Sequence, residues 1–380
     1  MKILHVCLAS VFTEGMTYQD NLLTDQNCAD GHEVCIVADC SVYSKTSIVQ
    51  VPVEDRVLAS GSRLVRLKLV PLLPPMLTHK LRIAPGLGRI IEQFGPDVIL
   101  YHGVVGVGLL TVGRYKRRHP KVKLYIDSHE DFHNSGRNLI SRWVQYRLIT
   151  RALLAYVRPV TEKILYISSE SADFLRAMYG LRDEEMEFFP LGGHPLPPAE
   201  RQVRRERARK ELGLGDGDIA FVHTGKLDQL KRSNDLIRAF KRVPSAHARL
   251  LVVGSIPDDD PLGLRQAMQG DDRIKFVGWV NNTRLVDILC ACDCYAQPGG
   301  QSATLQVALC CGMPAIARSY PSHRPYIDGN GFYADNEEEL VKAMSAVVAD
   351  PSRLEAMSRR SYEIAETVLD YRILAQRLYR

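Results

Sequence analysis

Several features that would place this chain in a specialised class of protein are missing from its 380 residues. No apolar run approaches the roughly 20 residues that a helix needs to span a bilayer, and Met1 leads directly into a strand pattern instead of a signal peptide. The nine cysteines do not have the spacing of a zinc site, and several lie in apolar runs, as Cys310 and Cys311 do. A net charge of +5 is too small to indicate a nucleic-acid partner. We therefore expect a cytoplasmic protein with buried free thiols, no metal site and no bound nucleic acid.

The composition is that of a globular protein with two domains. Hydrophobic residues make up 46% of the chain and charged residues 24%, and 380 residues exceed one ordinary core. Strand-like and helix-like segments alternate in both halves, with strands expected at 2–9, 33–38, 64–70, 97–101, 121–126, 219–224, 249–253, 274–277, 294–297 and 315–317. This alternation predicts two Rossmann-like, doubly wound α/β domains facing a central cleft. The expected division is 1–195, a linker at 196–217 and 218–380, with the last helix a candidate to cross back to the first domain.

The stretch 220–240 carries the strongest local signal for phosphate binding. An apolar strand runs into a turn at Gly225, Lys226 and Lys231 follow, and an amphipathic helix begins near Ser233. Glycine permits a close approach of the backbone, and the N-terminus of a helix offers unpaired N–H groups at the positive end of its dipole. These features suit a diphosphate. On these residues alone, a solvated basic turn before a surface helix is an equal alternative.

The order of motifs along the chain resembles that of the GT-B glycosyltransferases of family 4. The basic pair is followed by LLVVG, IKFVGWV and ACDCYAQPG…ALCCGMPAIA, and the first half fits more loosely through MKILHVCLA and GHEVCIVA. The resemblance implies the GT-B fold and a metal-independent transferase without a cofactor. It would move a sugar from a UDP- or GDP-linked nucleotide-sugar to a glycan or polyprenyl-linked acceptor. Retention of configuration and a place in surface polysaccharide biosynthesis are also implied.

The resemblance further implies roles for individual residues. Lys226 and Lys231 match the basic pair that neutralises the leaving diphosphate, with Arg232 either assisting or facing solvent. His129 matches a histidine that the family points at the donor sugar, although a structural histidine is nearly as good an interpretation. Contacts to the nucleotide and sugar are expected from Gly225, Gly254, Ser255, Val280, Gly300, Gln301, Ser302, Ala303, Thr304 and Gln306. Contacts to the acceptor are expected from Glu14, Gly15, Thr17 and Tyr18.

One position departs from the family pattern. The family carries two glutamates eight positions apart before the glycine that matches Gly312, and here the second position is Val307, beside Gln306. Amides and hydroxyls in the short loop 299–304 can still hydrogen-bond to sugar and ribose hydroxyls. The missing glutamates favour one alternative, a non-catalytic nucleotide- or glycan-binding protein. A second alternative is a sugar-nucleotide epimerase of the same fold, which would need carboxylates and a histidine in the cleft.

The segment HEDFH at 129–133 also matches the HExxH pattern of zinc peptidases. That chemistry needs both histidines on one face of a helix, with the glutamate on the metal-bound water. Here the motif follows a strand directly and runs into Asn134, Ser135 and Gly136. The sequence therefore favours a loop over a zinc site.

The segment 138–160 is the most distinctive surface element. It interleaves aromatic and aliphatic side chains with the arginines Arg142, Arg147, Arg151 and Arg158. No Asp or Glu occurs from 132 to 161. Basic residues beside aromatic ones suit an anionic membrane surface, which would make the protein peripheral on the inner face of a membrane. The alternative is a core-packed helix with its arginines on the wet side.

Overall fold

The computed structural model describes residues 1–44, 47–72, 76–136 and 141–380. The chain divides into two compact units, Met1–Pro190 with Leu374–Arg380, and Leu191–Ile373. The last seven residues thus belong to the first unit by their contacts.

The first unit is built on one sheet of eight strands and a separate two-stranded hairpin. Its strands are β1 (Lys2–Cys7), β2 (Glu33–Asp39), β3 (Ser41–Ser44), β4 (Ser47–Gln50), β5 (Asp55–Val57), β6 (Arg63–Leu67), β7 (Val98–His102), β8 (Lys123–Ser128), β9 (Lys163–Tyr166) and β10 (Met186–Phe188). The large sheet has the order β10-β9-β8-β7-β1-β2-β6-β5, and β3 pairs with β4. All neighbours in the large sheet are parallel except β5 and β6. The order changes direction between β1 and β7, where ligands of such sheets bind.

Helices connect these strands, in agreement with the predicted alternation. They are α1 (Gln19–Ala29), α2 (Met76–Leu81), α3 (Leu87–Phe94), α4 (Gly108–Arg118), α5 (Arg151–Val157) and α6 (Ser169–Tyr179), with a π-helix at Ser141–Thr150 and 3₁₀ turns at Arg158–Val160 and Asp183–Glu185. The segment 82–86 between α2 and α3 is not helical. Arg82 has a φ of 46° and Gly86 a φ of 97°, left-handed values that an α-helix cannot contain.

The second unit contains a sheet of six parallel strands. They are β11 (Ile219–Lys226), β12 (Ala248–Ser255), β13 (Ile274–Gly278), β14 (Cys294–Gln297), β15 (Ala315–Ala317) and β16 (Gly331–Tyr333). Their order is β13-β12-β11-β14-β15-β16, so the direction changes between β11 and β14. The carboxyl ends of these two strands therefore mark the expected ligand edge.

The helices of the second unit include one in the stretch expected as a linker. They are α7 (Pro198–Leu212), α8 (Ser233–Lys241), α9 (Leu264–Met268), α10 (Asn282–Ala291), α11 (Ala303–Cys310), α12 (Glu337–Ala349) and α13 (Arg353–Ile364), with a π-helix at Ala365–Leu369 and 3₁₀ turns at Gln229–Lys231 and Pro321–His323. The last helix, α14 (Tyr371–Tyr379), begins in this unit, and its residues from Leu374 onward belong to the first unit. Helix α7 occupies most of 196–217. Its Arg204 and Arg205 donate to Asp287 and Asp293 over 2.9 and 2.6 Å, so α7 is held on this unit by ion pairs.

Candidate functional site

The carboxyl end of β11 brings together three of the predicted nucleotide residues. Gly225 and Lys226 continue the strand and do not form the turn that the sequence predicted, because Gly225 pairs with Gly254 and Lys226 with Ser255 of β12. A Cβ atom on Gly254 would lie 1.8 Å from the carbonyl oxygen of Gly225. The two strands thus approach so closely here that no side chain fits at Gly254.

Lys231 lies in the 3₁₀ turn that follows β11. Asp228 begins this turn by accepting a hydrogen bond from the backbone N–H of Leu230. The Nζ of Lys231 donates to the carbonyl oxygen of Gln301 over 3.0 Å, and its methylene carbons cover Gly225. Loss of hydration on burial lowers the pKa of Lys231, against the opposing charge of Asp228. A basic side chain is therefore fixed over the strand edge, while Lys226 stays exposed beside it.

The loop at 298–302 packs directly on this turn. The N–H of Gly300 donates to the carbonyl oxygen of Leu230 over 3.1 Å, and a Cβ on Gly299 would lie 2.2 Å from that same oxygen. Helix α11 begins immediately after the loop, and no side chain of Ser302 caps it. The first N–H groups of α11 therefore remain available for a ligand. The predicted residues from Gly300 to Thr304 all lie in this loop and the first turn of the helix.

A cluster of buried hydroxyl groups supports the loop from within the unit. The hydroxyl of Tyr295 lies 2.9 Å from Oγ1 of Thr224 and donates to Oε1 of Gln297 over 2.9 Å. The hydroxyls of Ser302 and Thr304 interact with the same phenol. Burial raises the pKa of Tyr295, so the phenol remains a neutral donor and acceptor. The cluster joins β11 and β14 to the start of α11.

His223 is a structural residue of this site that the sequence reasoning missed. Its Nδ1 lies 2.9 Å from the carbonyl oxygen of Ala296, and its Nε2 lies 2.9 Å from Oγ of Ser233. Burial lowers the pKa of His223 to about 4, with a further contribution from Lys231 and an opposing one from the Ala296 bond. The neutral ring therefore donates through Nδ1 and accepts from the Ser233 hydroxyl. The available signal was a histidine two residues before Gly225 in an apolar strand.

Arg232 is half-buried and donates to two acceptors of the second unit. It has a left-handed φ of 52°, its Nε donates to Asp235 over 2.7 Å, and its Nη1 donates to the carbonyl oxygen of Asp335 over 2.9 Å. Arg232 holds the turn before α8, since its guanidinium is committed to these two acceptors.

Gln306 and Val280, which were also predicted to contact the nucleotide or sugar, lie in two different parts of the second unit. In the orientation that satisfies both atoms of its amide, Gln306 donates to the carbonyl oxygens of Ser302 and Ala303 over 2.8 and 3.0 Å. Its nitrogen is thereby directed into its own helix. Val280 lies two residues beyond the end of β13, on the edge of the sheet that also carries Ser255.

In the first unit, His129 follows β8 near the change of sheet direction. Its side chain is 45% exposed, and its Nε2 lies 3.9 Å from Oδ1 of the buried Asp127. Residues 129–133 form a loop, in which Oδ1 of Asp131 accepts from the backbone N–H groups of His133 and Asn134. The zinc-peptidase interpretation needs a helix here and is excluded. Within the described ranges, no group of three or more His, Cys, Asp or Glu residues could hold a metal ion.

The predicted acceptor residues lie in the loop between β1 and α1. Glu14 forms an ion pair with Arg56 of β5 over 2.6 Å, and Gly15 has a φ of 77°. The ring of Tyr18 contacts Tyr43 edge to face, with 6.1 Å between centroids. Thr17 lies in the same loop. The hairpin of β3 and β4 and the strand β5, which the sequence analysis missed, thus hold this loop in place.

The described part of the arginine-rich segment has a buried and an exposed face. Tyr146, Leu154 and Val157 are buried, whereas Trp143 is 56% and Leu148 66% exposed. The guanidinium of Arg147 lies 4.7 Å from the centre of the Trp143 ring. The buried face fits the alternative of a core-packed helix, and contact of the exposed face with a membrane stays a prediction. Positions 138–140 lie outside the described residues. Arg158, which is half-buried, forms an ion pair with Glu185.

The fold and this ligand edge define a two-domain α/β protein of the GT-B class. The chain belongs to the group 1 glycosyltransferases. Residues 204–364 match the family described as glycosyl transferases group 1, and residues 17–192 match the glycosyl transferase 4-like domain. The resemblance seen in the sequence is confirmed. No described helix is long and apolar enough to cross a membrane.

Individual relatives are distant. The D-inositol 3-phosphate glycosyltransferase of Rhodococcus opacus is 25% identical over 223 residues, 54% of this chain and 50% of that protein. The GDP-mannose-dependent monoacylated alpha-(1-6)-phosphatidylinositol monomannoside mannosyltransferase of Corynebacterium glutamicum is 24% identical over 249 residues, 60% of this chain and 64% of that protein. The matches thus span about half to two thirds of these relatives. HepE of Anabaena, solved with UDP, has a TM-score of 0.67 at 16% identity, covering 100% of this chain and 98% of that one.

Proposed function

We propose that the protein transfers a sugar from a UDP- or GDP-linked donor to a hydroxyl group of a lipid-linked or glycan acceptor. The observation that carries this proposal is the position of Lys231. Its ammonium lies over the glycine edge of β11 and β12 and against the loop that precedes α11. A nucleoside diphosphate fits such an edge, because the site combines a fixed cation with the N-terminus of a helix.

Catalysis in this proposal is electrostatic. When the glycosidic bond breaks, negative charge grows on the diphosphate oxygens. The ammonium of Lys231 is partly desolvated before the donor binds, so its attraction for an anion is stronger than that of an exposed lysine. Lys226 adds a second cation from the exposed end of β11. Because these groups are already in place, they need little rearrangement as the charge develops.

The donor base, the acceptor and the stereochemistry belong to the same proposal. A fold neighbour solved with UDP supports a uridine donor, and a relative named for GDP-mannose supports a guanosine donor. That relative also acts on a lipid-linked mannoside by its name, which supports a lipid-linked acceptor. Transfer with retention, and a place in surface polysaccharide synthesis, follow from the family resemblance. His129 and the loop carrying Glu14, Gly15, Thr17 and Tyr18 would face the sugar and the acceptor.

A peripheral contact with an anionic membrane completes the proposal. The exposed Trp143 and Leu148 offer apolar surface for the interface, and Arg142, Arg147 and Arg151 offer positive charge on the same segment. An enzyme with a lipid-linked acceptor gains access to it by lying on the surface that contains it. The inner face of a cytoplasmic membrane is the proposed location.

The deciding experiment is incubation with a panel of labelled UDP- and GDP-sugars, with and without lipid-linked acceptors. We expect free nucleoside diphosphate and a labelled acceptor to appear together, and the configuration of the product to be read by NMR. Interconversion of the donor sugar without any acceptor would instead identify an epimerase. Tight binding of the nucleotide without turnover on any acceptor of the panel would identify a binding protein and overturn the proposal.

A further inference from the structure

Two histidines lie side by side at the centre of the sheet in the first unit. His5 is on β1 and His102 is on β7, and both side chains are fully buried. Nδ1 of His102 lies 2.6 Å from Oδ2 of Asp127, and its Nε2 lies 3.0 Å from Nδ1 of His5. The other nitrogen of His5 lies 2.8 Å from Oδ1 of Asn27. Three consecutive hydrogen bonds thus run from the carboxylate to the amide.

The chain of hydrogen bonds continues from Asn27 to the C-terminal helix. Nδ2 of Asn27 donates to the hydroxyl of Tyr379 over 2.7 Å, and that hydroxyl donates to Oδ2 of Asp30 over 2.8 Å. The other carboxylate oxygen of Asp30 accepts from Gln26 over 2.7 Å. Because Tyr379 uses its single proton on Asp30, its oxygen must accept from the amide nitrogen of Asn27. The amide oxygen of Asn27 is therefore the atom that faces His5.

These directions determine how many protons the two imidazoles hold. The carboxylate of Asp127 accepts at one end of the three bonds, and the amide oxygen of Asn27 accepts at the other. Each of the three bonds needs a proton on a ring nitrogen, but two neutral imidazoles supply only two. His5 and His102 together must therefore carry one additional proton, and with it one positive charge.

We propose that His102 is a positioning residue that holds this additional proton at neutral pH, fixes the carboxylate of Asp127 beneath His129, and sets the direction of the hydrogen-bond chain as far as Tyr379.

The charges around the two rings place the proton on His102. Burial lowers the pKa of His102, but the carboxylate of Asp127, with its hydrogen bond, and the more distant Asp20 outweigh that effect and raise the pKa overall. Burial and the neighbouring His102 lower the pKa of His5 to about 3, although Asn27 and Asp127 act against them. The groups that face His102 thus come from β1, β8 and α1. His102 is the imidazolium and His5 is the neutral partner.

The role of this proton in the reaction rests on the proposed function. The proton on His102 would act by orienting the carboxylate of Asp127. Oδ2 of Asp127 accepts from His102, and Oδ1 accepts from the N–H of Gly103 over 2.8 Å. Both oxygens are thereby held in place, and Oδ1 is the atom 3.9 Å from Nε2 of His129. A Cβ on Gly103 would lie 2.7 Å from Cβ of Ala9, so the backbone that supplies this N–H is itself restrained.

The proton is measured directly by ¹⁵N NMR of protein labelled at its histidines, without any sugar donor or acceptor. We expect both ring nitrogens of His102 to have imidazolium shifts at pH 7, with a titration midpoint above the ordinary value of about 6.5. Assignment uses correlations from ring to backbone in the unaltered chain, so the result does not depend on a variant that folds. Neutral shifts for both buried histidines at pH 7 would overturn the proposal, whatever the outcome of the transfer assay.

The long-range part of the proposal is tested with Tyr379→Phe. Without the hydroxyl, the amide of Asn27 can turn its nitrogen towards His5, and two neutral imidazoles then satisfy the chain. We expect the midpoint of His102 to fall by about one pH unit, a tenfold change in proton affinity. The matched control is Arg377→Gln, since Arg377 holds the same helix through Glu187 over 2.9 Å without contacting the chain. An unchanged midpoint in Tyr379→Phe, or equal shifts in both variants, would contradict the proposed chain.

Discussion

The ammonium of Lys231 donates a hydrogen bond of 3.0 Å to the backbone carbonyl of Gln301, which lies 70 residues further along the chain. This bond joins the turn after β11 to the loop before α11. In the proposed reaction a donor diphosphate would replace the carbonyl as the acceptor of this ammonium. The bond therefore defines the position from which Lys231 acts.

Removing this cation should slow transfer more than it weakens binding of the donor. If Lys231 stabilises charge that develops as the glycosidic bond breaks, Lys231→Ala lowers kcat by roughly 10²-fold, equivalent to about 3 kcal/mol. Lys226→Ala should act in the same direction. The matched control is Lys241→Ala. That exposed lysine also donates to a backbone carbonyl, that of Gln269 over 2.8 Å, but it lies away from the strand edge. Steady-state kinetics decide the matter, and a folded Lys231→Ala protein with normal kcat would refute the assignment.

The close approach of β11 and β12 makes Gly254 intolerant of any side chain. Gly254→Ala would place Cβ 1.8 Å from the Gly225 carbonyl oxygen, at a φ of 141°. Gly270→Ala is the control, since its φ of 77° is also left-handed but no atom lies within 4 Å of the new Cβ. We expect the first variant to lose at least about 2 kcal/mol more unfolding free energy than the second, measured in urea. Equal losses would show that the strands separate easily at this edge.

Binding to membranes should depend on the arginine-rich segment and on salt. The protein is expected to sediment with anionic vesicles at low ionic strength and to be released as salt rises, because charges are screened over about 8 Å at physiological strength. Replacing Arg142, Arg147 and Arg151 with Glu should abolish sedimentation. The same charge change at the exposed Arg238, Arg265 and Arg359 of the second unit is the control. Equal binding to neutral vesicles, or unchanged binding of the first triple variant, would count against the membrane contact.

Buried neutral histidines should make the protein sensitive to mild acid. The folded pKa of His223, about 4, lies below that of an exposed histidine, so the unfolded chain binds more protons. Its contribution to stability is complete above about pH 6.5 and is lost as pH falls towards 4, at up to about 1.4 kcal/mol per pH unit. Glu130 acts in the opposite direction, because burial raises its pKa to about 7 despite the Tyr179 hydrogen bond.

A variant isolates the contribution of His223 from the other groups. Between pH 6 and pH 5, His223→Gln should show a smaller dependence of unfolding free energy on pH than the unaltered protein, by up to one proton. His247→Gln is the control, since that ring is exposed. Urea unfolding at several pH values gives both slopes. The same slope in all three proteins would mean that His223 does not change its protonation on unfolding.

Transfer is expected to proceed in excess chelator. Lys226 and Lys231 supply positive charge in the proposed site, so a divalent cation has no required role there. The acidic turn at Asp258, Asp259 and Asp260 offers three carboxylates in sequence, but that of Asp260 is engaged by backbone N–H groups. Its side chain accepts the N–H groups of Leu264 and Arg265 over 2.9 and 2.8 Å and so caps α9. Loss of activity with chelator and its return with manganese would show that a metal participates.

Local sequence determined the elements of this protein and the family to which it belongs. Apolar strands alternating with amphipathic helices predicted two parallel α/β units, because side-chain periodicity depends only on neighbours in the chain. The glycine and the lysines at 225–231 predicted a phosphate site from neighbouring residues in the same way, and that site stays a prediction. Short exposed elements escaped this reasoning. The strand β4 is exposed along its whole length, so no alternation of apolar residues marked it.

Only the tertiary structure decided which distant groups meet. His223 reaches the carbonyl of Ala296 across 73 positions, and His5 reaches His102 across 97. The pairing of Gly225 with Gly254 turned a predicted turn into strand, and Arg232 donates to the carbonyl oxygen of Asp335 across 103 positions. Hydrogen bonds and desolvation act over a few ångströms of space and not along the chain, so the protonation of a buried histidine follows only when the fold brings its partners into contact.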